Sequence, residues 1–126
     1  MISFNNQRPW NFATDKPDDT IALEFIPVAA HELAHALGVG SAPSWNRLII
    51  YGSFRGAAAM EAHRAAVPMF DSHHWATDVR STSISMFGIP ASIETIPIMN
   101  PLSPSPDAEK FRGFSELDLG AMKDVG

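Results

Sequence analysis

The chain has no cysteine, which excludes a disulfide framework and any thiolate metal site, so a bound transition metal must be held by His, Asp or Glu. Nowhere does the sequence approach the run of about 18 apolar residues needed to cross a bilayer, and no membrane span is expected. Basic residues are scarce: nine Lys and Arg stand against fourteen Asp and Glu, for a formal charge of -5. No basic stripe tracks along the chain to follow a phosphate backbone, so nucleic acid is not an expected partner. The opening Met1-Ile2-Ser3-Phe4-Asn5 has neither a basic leader nor an apolar stretch with a small-residue cleavage site, and no signal peptide is expected in this chain.

What is present suits one globular domain spanning 1–126. Hydrophobic residues make up 45% of the 126 positions and charged residues 18%, a composition able to build one modest core. Ten prolines and eight glycines imply that much of the chain is loop.

Local patterns place the elements. Ile2-Ser3-Phe4 alternates as a short strand would, ended by Asn5-Asn6 and Pro9, and the acid- and proline-containing stretch from Asn11 to Thr20 reads as a solvated loop. A helix is predicted from Pro27, a good first-turn residue, up to Gly38. Val28, Ala29, Leu33, Ala36 and Leu37 spread apolar surface around much of it, the pattern of a helix crossing a domain interior. Leu48 to Tyr51 is a strand or a buried loop. A second helix is predicted over Ala57 to Ala66, before Val67-Pro68. No long helix is expected between Phe70 and Pro106. Ser115 and Asp118 stand in capping-box relation at the start of a final helix, whose apolar face is Leu117, Ala121, Met122 and Val125.

The chemistry-bearing motif is His31-Glu32-Leu33-Ala34-His35. At about 100° per residue the two histidines lie roughly 40° apart around the helix axis and about 6 Å apart along it, near enough to reach one ion. Glu32, rotated by about 100° from His31, is placed to address a bound water rather than the ion itself. By chance alone such a triplet occurs in roughly 1 in 60 chains of this length, so the motif is moderate evidence. Its setting in an apolar helix strengthens it, because unpaired imidazoles and a carboxylate are costly there. Catalytic zinc normally has three protein ligands, and His63, His73 and His74 remain as sources of the third. His63 belongs to the second predicted helix and suits a surface or capping role, whereas His73 and His74 lie in a loop long enough to fold back over the first helix.

The run Val28-Ala29-Ala30-His31-Glu32-Leu33-Ala34-His35-Ala36-Leu37-Gly38 resembles the active-site helix of matrixin-like proteases of the metzincin group, and Ile2-Ser3-Phe4-Asn5 with Trp10 resembles the edge strand and following turn. Those proteases place a third histidine three residues after the glycine, where this chain has Ser41. Gly52-Ser53-Phe54, Gly56-Ala57-Ala58, Val67-Pro68, Asp71 to Trp75, Ile98-Met99-Asn100-Pro101 and Leu117-Asp118-Leu119 to Asp124-Val125-Gly126 resemble bacterial leishmanolysin-like and matrixin-related proteins. In these the third ligand follows an insertion and precedes an aromatic residue, as His74-Trp75 does.

The resemblance implies an α+β, zincin-like catalytic domain, its active-site helix packed on a small sheet beside a C-terminal helix. It implies one catalytic Zn²⁺ on His31, His35 and His74, with His73 the weaker choice, and Glu32 as general base in the hydrolysis of a peptide or protein substrate. Met99, with Met86 as the weaker contender, would form the tight turn beneath the metal; its ordinary role would be to fill the core. Asp71 and Asp78 are candidates to orient the third ligand, although solvated loop acids are the simpler reading of both. A structural Ca²⁺ is not resolvable from the sequence.

Such proteases are secreted and carry further strands and a helix before the edge strand. The expectation is therefore a domain incomplete at its N-terminus, weakly stable and strongly metal-dependent, with low or no turnover. The alternative reading is a catalytically inactive zinc-binding or peptide-binding remnant of such a domain.

Overall fold

The computed structural model describes residues 1–12, 23–84, 94–101 and 112–126. It is an α+β structure with four helices and three small sheets among these residues. Strand β1 (Trp10–Asn11) pairs in parallel with β2 (Leu23–Glu24), which runs directly into helix α1 (Phe25–Ala36). Helix α2 (Pro43–Arg47) leads to the antiparallel sheet β3 (Ile49–Ile50), β4 (Ser53–Phe54) and β5 (Val67–Pro68), with helix α3 (Ala57–His63) between the last two strands. The third sheet pairs β6 (Ser81–Thr82) antiparallel with β7 (Glu94–Pro97), and β7 in parallel with β8 (Arg112–Gly113). Helix α4 (Glu116–Val125) closes the chain.

The ends of α1 follow from its sequence. Pro27 sits in the first turn, where its missing N–H has no helical acceptor to lose. At the other end Gly38 takes φ +104°, the left-handed region that a side chain disfavours. The Val39 N–H then donates to Ala34 at 3.0 Å and the Gly38 N–H to His35 at 3.0 Å, the two bonds of a Schellman motif. Helix α4 starts with the capping box expected of Ser115 and Asp118, both of its hydrogen bonds formed.

Helix α3 packs along α4, the largest contact between elements. Gly120 makes this possible, since a Cβ there would press to 2.8 Å from the Ala58 backbone. Asp124 of α4 caps α3 through space, accepting from the N–H groups of Ala58 and Ala59 at 2.9 Å each. The centre of the core is an aromatic trio. Trp45 lies 4.3 Å from Phe54 and 4.9 Å from Trp75, ring centre to ring centre, and all three are fully buried with Val39, Val67, Ile98, Met99 and Leu117 around them.

Several expectations are corrected. Ile2-Ser3-Phe4 is not a strand; the pairing falls on Trp10–Asn11, while Phe4 packs its ring on Trp10 and Phe25. Asn11 is thus β-strand rather than loop, and 13–20 of the expected loop lie outside the described residues, as does Met86. The helix expected over Ala57 to Ala66 stops at His63, because Arg64 turns into the left-handed region at φ +63°. Leu48 to Tyr51 resolves into β3 and a tight turn, Tyr51 and Gly52 both having positive φ, which leaves Tyr51 fully exposed.

Helix α1 does not cross an interior. Leu33 is 54% and Leu37 71% exposed, and only its Val28, Ala30, His31 and Ala34 positions are buried. Nor does a larger sheet form a platform for it among the described residues: apart from the β1–β2 pair that leads into it, the strands belong to the two sheets of the rest of the fold. No helix among the described residues is long and apolar enough to cross a membrane.

Candidate metal centre

Helix α1 sets His31 and His35 one turn apart on a single face, with their ring centres 4.7 Å apart. The chain returns through the β4–α3–β5 unit, and the loop after β5 lays His74 against both: its ring is stacked 16° from coplanar with His31 and nearly perpendicular to His35, at 5.2 Å from each. One ring nitrogen from each of the three lies within 4.8 Å of the others, close enough to bind a single metal ion. His31 is 2% exposed and the other two are partly buried.

Each ring is oriented by an acceptor on its far nitrogen. His31 Nδ1 donates to the Ile98 carbonyl at 2.7 Å, His35 Nδ1 to the Val39 carbonyl at 2.9 Å, and His74 Nδ1 to the Asp71 carboxylate at 2.9 and 3.0 Å. Carbonyl and carboxylate oxygens only accept, so Nδ1 carries a proton in every ring, which makes Nε2 the ligand atom each would offer a metal. The Nε2 atoms of His35 and His74 stand 3.3 Å apart. That spacing is compatible with two ligands of one metal ion.

The donor set fits a metal. Tetrahedral zinc with Zn–N bonds of about 2.0–2.1 Å spaces neighbouring nitrogens by about 3.3–3.4 Å, matching the closest pair here. Imidazole alone does not select zinc over other first-row metals.

Asp71 is more than a solvated acid. Its Oδ1 also accepts from the backbone N–H groups of His73 and His74 at 2.7 and 2.8 Å. Partial burial by itself raises its pKa, but the hydrogen bonds from His74 and His73 and the His74 charge outweigh that and hold the carboxyl below its ordinary value. A carboxylate on the far nitrogen of a ligand histidine locks the tautomer and raises the basicity of the ligand. Asp78 lies outside this contact.

Beneath the three rings is a second hub. Asp118, fully buried, accepts from Ser115 N and Oγ at 3.1 and 2.7 Å, Ile98 N at 2.9 Å, Trp75 Nε1 at 3.1 Å and Met99 N at 3.3 Å. Burial pushes its carboxyl above the ordinary value, and these donors offset that only in part. The capping-box acid thereby anchors Ile98, which orients His31, and Trp75, which follows His74.

No family model, curated protein or solved structure matches this chain. The site therefore rests on its own geometry. That geometry brings His31, His35 and His74 together, leaves His63 in the last turn of α3, and gives His73 a different partner: its Nδ1 donates to the Gly40 carbonyl. Ser41, where the resemblance expects a histidine, donates its Oγ to the His35 carbonyl at 2.6 Å. Met99 is a fully buried core residue whose carbonyl accepts from Trp75 N at 3.0 Å. Among the described residues the Glu32 side chain is half-buried and makes no hydrogen bond or ion pair.

Sequence reasoning named Asp71 as a candidate orienting group but preferred a solvated acid, read Asp118 only as a helix cap, and missed the contact at Gly40. An Asp three residues before a histidine was the one readable signal for Asp71. The carbonyls of Ile98, Val39 and Gly40 have no residue-type signature.

Proposed function

We propose that this chain is a zinc-dependent endopeptidase with a zincin-type active site, hydrolysing peptide bonds in a peptide or protein substrate. The observation carrying this reading is that His31, His35 and His74, each with Nδ1 bonded to a carbonyl or carboxylate, bring one ring nitrogen apiece within 4.8 Å of the others, with Glu32 next to His31 on the same helix. A structural site normally has four protein ligands, whereas three leave a position open for water or substrate.

His31, His35 and His74 would hold a zinc ion, which would supply Lewis acidity toward a water molecule and the scissile carbonyl. Glu32 acts as general base: a carboxylate oxygen takes the proton as the water oxygen bonds to the carbonyl carbon. The same oxygen then delivers that proton to the amide nitrogen as the C–N bond breaks, giving a carboxylic acid and an amine. Among the described residues no hydrogen bond engages the Glu32 carboxylate, which leaves it available for both transfers.

The test combines zinc retention after dialysis with cleavage of a quenched peptide library. The wild-type chain retains about one zinc per chain and cleaves, and Glu32→Gln retains zinc but loses at least about 100-fold in rate. A wild-type chain without zinc, or a Glu32→Gln variant of undiminished rate, overturns the proposal. Zinc retention without cleavage in either form identifies a binding remnant instead.

A further inference from the structure

The turn after α1 offers two successive carbonyls to two histidines. Val39 accepts from His35 Nδ1, and Gly40 accepts from His73 Nδ1. His35 is a candidate ligand, and His73 immediately precedes another. The same few backbone atoms therefore touch both sides of the pair whose Nε2 atoms stand 3.3 Å apart.

Gly40 is shaped for this contact. It is buried at φ +74°, and a Cβ at this position would collide with the His73 carbonyl oxygen and come within 2.9 Å of the His35 ring. Only a residue without a side chain lets the loop approach so closely.

The other ties of the loop run elsewhere. Ser72 accepts from Trp45 Nε1 at 2.9 Å, Phe70 N donates to His74, Trp75 N donates to Met99, and Asp71 binds back onto the loop's own N–H groups. Among the described residues, the His73–Gly40 hydrogen bond is the one that joins the loop's backbone-shaping contacts to the turn following α1.

We propose that His73 is a positioning residue: its Nδ1–H, bonded to the Gly40 carbonyl, latches the Asp71–Trp75 loop onto the end of α1 and sets the spacing of His35 and His74. This deepens the reading of His31, His35 and His74 as metal ligands and rests on it. His73 supplies no ligand atom. It acts by holding His74 at the right distance before a metal arrives, so that binding does not have to order the loop.

The experiment measures Zn²⁺ affinity of the full chain by competition with a chromophoric chelator, and the visible spectrum of the Co²⁺-saturated chain, for wild type, His73→Ala, His73→Asn, His73→Gln, Gly40→Ala and His74→Ala. His73→Ala weakens zinc binding by about tenfold or more while its saturated cobalt spectrum stays that of wild type, because the three ligands remain. His73→Asn, whose amide nitrogen falls where Nδ1 lies, recovers most of the affinity. His73→Gln, whose amide reaches the position of Nε2, does not. Gly40→Ala weakens binding at least as much as His73→Ala. Near-UV circular dichroism from the Trp45–Trp75 core checks that each variant is folded, and the asparagine variant keeps the test decisive if Gly40→Ala is not.

Wild-type binding with His73→Ala within twofold of it overturns this inference alone. An altered cobalt spectrum for His73→Ala without rescue by asparagine also overturns it, since His73 would then be a ligand. Failure of the wild-type chain to bind either metal overturns the metal reading and this inference together.

Discussion

His31 donates its Nδ1 proton to the carbonyl oxygen of Ile98 at 2.7 Å, across 67 positions of the chain. The N–H of the same Ile98 donates to Asp118 at 2.9 Å. A ligand ring on α1 is thereby connected, through one peptide residue, to the carboxylate that caps α4. The orientation of His31 depends on whether the Ile98–Met99 turn stays docked on that helix.

Asp118→Ala should be among the most destabilising single changes in the chain. It removes the common acceptor of five donors, including Ile98 N, Met99 N and Trp75 Nε1, in a fully buried setting. Each stranded buried donor costs about 1–3 kcal/mol, so a loss of at least about 3 kcal/mol is expected in urea unfolding. A loss below about 1 kcal/mol would mean that the hub is not a structural anchor.

Asp71→Asn should act on the metal centre more than on the fold. The amide still offers His74 an acceptor oxygen but no charge, and zinc affinity should fall by about tenfold, read by chelator competition. Because the carboxyl is held below its ordinary value in the folded chain, the stability it contributes is present above the ordinary carboxylate range of about pH 4. That contribution is lost as pH falls through the depressed folded value. The stability difference between wild type and Asp71→Asn should thus be level above about pH 5 and close in acid. A difference that widens on acidification would contradict a carboxyl held below its ordinary value by its hydrogen bonds.

Metal removal should lower stability by mass action. Zinc at about a thousandfold excess over its dissociation constant stabilises a folded chain that alone binds it by about 4 kcal/mol, an upward shift on the order of 10 °C in the unfolding midpoint for a domain of this size. Chelator should reverse the shift. His74→Ala should abolish it, and a chelator-insensitive midpoint would argue that the three histidines hold no ion.

Leu37→Gln should be nearly silent in the same unfolding assay, within about 0.5 kcal/mol, because the side chain is 71% exposed. Ala34, one turn back and fully buried, is the contrast: Ala34→Leu overpacks the core and should cost about 1–3 kcal/mol. A large effect at Leu37 would show that this face of α1 is covered in solution.

The residues alone determined what depends on near neighbours. Two histidines four apart share a helix face by the geometry of the helix itself, Gly38 ends that helix because it takes a left-handed φ readily, and Ser115 with Asp118 starts the last helix by local hydrogen bonding. The preference for His74 over His73 came from a resemblance, and it agrees with the cluster seen here. Only the tertiary structure decided which carbonyl holds each ring, that Asp118 reaches past its cap to Ile98 and Trp75, and that Leu33 and Leu37 face outward. The physical reason is the same in each case. Such contacts join positions far apart in the chain or use backbone atoms that every residue has, and apolar periodicity says which faces can be buried without saying what is there to bury them.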